Sequence, residues 1–169
     1  MLDTRLSIMV DINIIKKENT EILTDLIVIN QERILGYAKA IAGLDSEKDS
    51  DLISIFEQYS QQAQQFKSQL IPLVHREGEI PDNTCDPAPE KLYKTWFEAS
   101  GIVDSNPRES VLIAVIRGEK DNERIYRIAL DNLEVVEENV LEMIRSQADL
   151  QSSSHENLRT LLVLETEQE

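Results

Sequence analysis

Two stretches of this chain repeat one another at the same spacing. Asn30 and Tyr37 stand seven residues apart, as do Glu119 and Tyr126, and each tyrosine is followed three residues later by alanine and then an aliphatic, Ala40-Ile41 and Ala129-Leu130. Seven residues is close to two helical turns, so each pair occupies one face of a helix. A duplicated long helical segment points to two helical hairpins packed as an all-α bundle, whose interior is able to hold a metal site.

The apolar periodicity supports four helices. From about Glu18 to Leu44, apolar residues at 23, 26, 27, 34, 37, 41 and 44 keep helical spacing, and Gly43 followed by Asp45 and Ser46 supplies a stop and a new cap. A second run, from Leu52 through Phe56, Tyr59, Ala63, Phe66 and Leu70 to Val74, reads as ending at Gly78. Four of the five prolines fall between 72 and 89, which places a long crossover at Glu79 to Asn106. Within it, Lys91 to Ser100 reads as a short helix carrying Leu92, Trp96 and Phe97 on one side. Ser105 and Asn106 before Pro107 cap a third helix. A fourth runs from about Val135 to Leu162, divided from the third at Asp131-Asn132. The expected architecture is an antiparallel four-helix bundle over residues 18–163, built as two hairpins joined by a long crossover. An N-terminal extension, 1–17, precedes it and an acidic C-terminal tail, 164–169, follows.

A chain of 169 residues is enough for one substantial core. Its net charge of −15 opposes binding to phosphate backbones and anionic lipid surfaces, so neither nucleic acid nor a membrane is an expected partner. Cys85 is the single cysteine, so no intramolecular disulfide forms, and it reads as an incidental surface thiol. The first residues alternate apolar side chains (Leu6, Ile8, Val10, Ile12, Ile14) with Asp3, Arg5 and Asp11, and lack the unbroken apolar stretch of a secretion signal. These features indicate a reduced, cytoplasmic protein.

Polar residues interrupt the apolar stripes at one level. Asn30 and Tyr37 in the first helix, Gln62 and Gln65 in the second, Glu119 and Tyr126 in the third, and His155 with Gln147, Gln151 and Ser154 in the fourth define an expected buried polar belt. A dinuclear iron or manganese centre needs a glutamate from each of two helices and Glu-x-x-His from each of the other two. Here Asn30 replaces one glutamate, Gln62 and Gln65 replace one pair, and Ser152 precedes His155, leaving only Glu119 and His155 as metal candidates. Neutral amides bind such cations weakly. Glu119 therefore reads as a buried acid satisfied by Tyr37, Tyr126, Gln62 or a neighbouring arginine, and with no metal its replacement by glutamine is expected to be tolerated.

Together these residues resemble a bacterial family of uncharacterised four-helix-bundle proteins in the ferritin-like superfamily. The resemblance runs from about Asn19 to Leu162. It is carried by Leu23 to Ile27, Asn30, Gly36-Tyr37 and Ala40, by Phe56, Phe66 and Leu70, by Gly78, Pro81 and Lys91 to Trp96, and by Gly118-Glu119, Tyr126, Ala129-Leu130 and His155. It implies a ferritin-like bundle and a stress-related setting, but brings no activity. The leading expectation is a non-catalytic binding or assembly module without catalytic or cofactor-binding residues, acting on an unidentified protein partner. The alternative is an iron- or manganese-dependent oxidoreductase or storage protein with a nonstandard site. Ile22, Ile29 and Ile41, with the apolar first residues, further suggest a homodimer through the first helix or the N-terminal segment.

Overall fold

Leu26, Asn30, Arg33, Tyr37 and Ala40 recur every three or four residues, and all five are buried on one side of a single helix. The structure is a computed structural model that describes the backbone of residues 2–76 and 107–167, and side-chain surroundings for 16–75 and 107–167. Its helices are α1 (Leu2–Ala42), α2 (Ser50–Arg76), α3 (Pro107–Asn132) and α4 (Glu138–Thr166), and no strand occurs among the described residues.

Helix α1 packs on α2 and α3, and α3 packs on α4. Side chains close the fourth side: Ser154 and Asn157 of α4 donate to Gln62 and Tyr59 of α2 at 3.3 and 3.2 Å. The α1–α3 register is antiparallel, since Asn19 bonds Glu134, Asn30 bonds Tyr126, and Gly43 lies beside Val111. Arg108 sets the start of α3 beside the start of α2. Its guanidinium binds Asp49 (3.2 Å), Asp51 (2.8 Å) and Glu165 in the last turn of α4. Arg76 lies at the far end of α2, about 40 Å away for 27 residues. Residues 77–106 thus join opposite ends of the bundle.

Two apolar layers fill the interior. One gathers Leu23, Leu26, Phe66, Leu70, Tyr126 and Ile144, and the other Tyr37, Leu52, Phe56, Leu112, Val115 and Leu158. The polar belt lies between them.

The stretch before residue 18 is helical from Leu2 and continuous with the first helix of the bundle. Alternation at every second residue distributes apolar positions around a helix and so obscured its period. Ile29 is buried, and Ile22 and Ile41 pack against the two core layers, so these three residues do not form a spare apolar face. The expected acidic tail begins within α4, which continues to Thr166, and its Glu165 binds Arg108. The short helix expected at Lys91 to Ser100, with Trp96 and Phe97, and the loop carrying Cys85 lie outside the described residues.

The turn between α3 and α4 carries a local strain. Val135 has φ +50° and is 89 % exposed. A β-branched residue is disfavoured in that left-handed region by roughly 1–2 kcal/mol. Val135→Asn is expected to raise the melting temperature by about 2–4 °C per kcal/mol recovered, measured by circular dichroism. An unchanged or lower value would show that the turn does not hold this backbone in solution.

Candidate functional site

The belt is organised by an arginine. Arg33 follows Asn30 by three residues and precedes Tyr37 by four, which places it on the buried stripe of α1. Its Nε donates to Glu119 Oε1 at 3.0 Å, and neither side chain has any solvent exposure. Nη2 donates to Gln62 Oε1 at 3.0 Å and Nη1 reaches Asn30 Oδ1 at 3.4 Å. The guanidinium carbon also sits 5.9 Å from the centre of the Phe66 ring. Burial opposes the charge on Arg33, but Glu119 and the tyrosine oxygens beside it more than offset that and raise its pKa further.

Glu119 is enclosed by donors. The Tyr37 hydroxyl and Arg33 reach Oε1, while Gln151 Nε2 donates to Oε2 at 2.6 Å and to the Glu119 carbonyl at 2.7 Å. A carboxylate buried without such partners would cost several kcal/mol.

The duplicated pairs meet crosswise. Tyr37 of the first stretch donates to Glu119 of the second, and Asn30 of the first donates to Tyr126 of the second at 2.8 Å. Tyr126 passes the chain on by donating to Gln147 Oε1 at 2.9 Å, and Gln147 Nε2 donates to Gln69 Oε1 at 2.9 Å. Each tyrosine thus binds the polar residue that corresponds to the one seven residues before itself. The seven-residue spacing positions the two hairpins against each other.

Of the residues expected in the belt, Asn30, Tyr37, Glu119 and Tyr126 are fully buried, and Gln62 is half-buried and accepts from Arg33. Gln65 does not belong there. It is exposed, because it lies roughly 160° around the helix from Ala63 at 100° per residue. His155 stands one layer aside, with Nδ1 2.9 Å from Glu123 Oε2, and Ser152 Oγ donates to Glu123 Oε1 at 3.2 Å. Glu123 was not singled out by the sequence. Nor was Arg33 by name, although its place on the stripe marks it. Tyr126 and Gln62, two of the partners considered for Glu119, instead bind Asn30, Gln147 and Arg33.

These residues do not fit a dinuclear metal centre. Both oxygens of Glu119 already accept from donors, and the adjacent charge is the Arg33 guanidinium, which would repel a cation. His155 shares its layer with one carboxylate, and among the described residues no three His, Cys, Asp or Glu side chains converge. No helix among the described residues is long and apolar enough to cross a membrane. Compared with known proteins, the chain matches no family model, no curated protein and no solved structure.

The belt's protonation has measurable consequences. Burial pushes Tyr126 up to about 12 and Tyr37 well above the ordinary tyrosine value. Their folded-state values exceed the unfolded ones, so the stability they support is complete below about pH 10 and is lost as pH rises through the folded values. In an alkaline titration followed at 295 nm, these two tyrosines are expected to ionise only together with loss of helix. Smooth ionisation of all four tyrosines near pH 10, with helix retained, would refute the closed belt.

Glu32, beside Arg33, is a buried carboxyl whose Oε1 has no hydrogen-bond partner, and burial raises its pKa from 4.5 to about 7. Stability is therefore fullest below about 4.5 and falls as pH rises through about 7. Glu32→Gln is expected to raise the melting temperature at pH 8 and to change it little at pH 5. An equal change at both pH values would mean that the carboxyl is hydrated.

Proposed function

We propose that the protein is a non-catalytic helical bundle of ferritin-like topology that serves as a binding or assembly module. The observation that carries this reading is the Arg33–Glu119 pair, which occupies the layer where a ferritin-like bundle would hold metal, with no solvent exposure of either side chain. A catalytic centre must meet its substrate, whereas this pair is sealed between two apolar layers and neutralised within itself. The α2-to-α3 connection between opposite ends of the bundle agrees with the ferritin-like topology, as does the sequence resemblance. The negative charge and single cysteine favour a cytoplasmic setting. Ile113, Ile128, Leu150 and Val163, exposed on α3 and α4, supply apolar surface suited to a protein partner.

The rival reading, an iron- or manganese-dependent oxidoreductase or storage protein, draws on Glu123 and His155, which are partly exposed at 28 % and 11 %. It would require ligands beyond those two.

Two measurements separate the readings. Protein purified without chelator is expected to carry no stoichiometric iron or manganese, and stoichiometric metal would overturn the proposal. Glu119→Gln, which the sequence alone suggested would be tolerated, is now expected to destabilise the fold by about 3–5 kcal/mol, because it leaves Arg33 charged and buried. Arg33→Met combined with Glu119→Leu is expected to recover most of that loss. If Glu119→Gln were neutral and added manganese stabilised only the native chain, Glu119 would be a metal ligand and not the partner of Arg33.

A further inference from the structure

We infer that the outward face of α3 is a docking surface for an acidic helical segment of a partner protein. This rests on the reading of the protein as a binding module and names the chemistry of its partner. The first observation is a stripe. Ile113, Arg117, Lys120, Arg124 and Ile128 follow one another at steps of four, three, four and four residues, and all five are exposed. At 100° per residue they fall within about 80° of arc, on a strip about 22 Å long. Leu112, Val115, Glu119 and Tyr126 of the same helix are buried in the bundle, so the stripe looks away from it.

The second observation is its charge. In a chain of net charge −15, three cations stand in succession at the middle of this stripe. Asp121 lies on one flank and Glu123, bound to Ser152 and His155, on the other. Along the stripe itself acids return only beyond its ends, at Glu109 and Asp131. Among the described residues no carboxylate pairs with Arg117, Lys120 or Arg124, whereas Arg127 beside them is held by Glu123 at 3.7 Å. Like charges three and four residues apart repel one another along a helix. An anionic surface laid across them relieves that repulsion.

The stripe is specific about what would cover it. Apolar ends and a cationic centre are complementary to a helix with apolar ends and carboxylates between them, at the same three- and four-residue spacing. An extended polyanion fits less well, because it would run past the ends onto a surface that repels it. With −15 for the whole chain and +3 on the stripe, the remainder carries −18. A short segment stops before that surface, and salt screens charges more than ~8 Å away. A second copy turned about a two-fold axis would set the stripe against itself, cation on cation.

The test uses the full chain and a fluorescein-labelled synthetic peptide of about 20 residues, held helical by a side-chain staple. The peptide carries leucines at its two ends and three glutamates between them at the spacing of the stripe. Fluorescence anisotropy is expected to show saturable binding below about 1 mM that weakens as salt rises. Arg117→Glu with Lys120→Glu and Arg124→Glu is expected to weaken it by about tenfold or more at an unchanged melting temperature. The three corresponding glutamine substitutions serve in its place if charge reversal alters folding. Ile113→Ser with Ile128→Ser is expected to weaken binding and to keep its salt dependence. Absence of saturable binding, binding that survives charge reversal, or equal binding of a peptide with glutamine in place of glutamate would overturn the inference. Tighter binding of duplex DNA, lost with the same three cations, would overturn it by making the face a nucleic-acid site. A light-scattering mass of twice 19.3 kDa that charge reversal halves would overturn it by giving the face to a second copy. None of these outcomes decides the binding-module reading, which falls instead on stoichiometric metal.

Discussion

Everything in this bundle is arranged around one requirement, that the charges on Arg33 and Glu119 be removed from water together. The cost of burying two ions is recovered only when geometry is good and the remaining donors and acceptors are also met. Gln62 of α2, Gln151 of α4, and Asn30 and Tyr37 of α1 meet them. Such a pair contributes less to net stability than an apolar replacement of the same volume often does. Its value is register. An apolar stripe tolerates a slip of one helical turn, whereas a slip here would leave a cation and an anion buried apart.

The duplicated spacing explains how two hairpins reach this arrangement. In each stretch a polar residue is followed seven positions later by a tyrosine, and antiparallel packing of α1 on α3 crosses the pairs, so that each hydroxyl meets the other stretch's polar residue. The copies have diverged in a complementary way. Glutamate stands in one and asparagine in the other, and three residues later arginine stands against asparagine, Arg33 and Asn122. One buried negative charge and one buried positive charge result.

Much of the fold was legible in the sequence because helices of this kind declare themselves by period. The stripes ending at Gly43 and beginning at Pro107 lie within a residue or two of the observed helix boundaries. Asn30, Tyr37, Glu119 and Tyr126 were legible as interior residues for the same reason. Arg33 was harder to see, because Gln31-Glu32-Arg33 reads as a solvated run when composition is weighed and phase is not. Gln65 erred in the opposite direction: it was drawn from the spacing of a metal-binding motif and lies off the stripe defined by Phe56, Ala63, Phe66 and Leu70. The pairing of His155 with Glu123 depends on how α3 and α4 are set against each other, which no single helix encodes.

The separation of Arg33 and Glu119 along the chain has a kinetic meaning. They are 86 residues apart and belong to different hairpins, while the contacts within each hairpin close over short turns. Local pairing forms early and distant pairing late, because the longer loop carries the larger entropic cost. Bringing the two halves of the belt together therefore carries a larger loop-closure cost than closing either hairpin, and it strips water from a guanidinium and a carboxylate in the same contact.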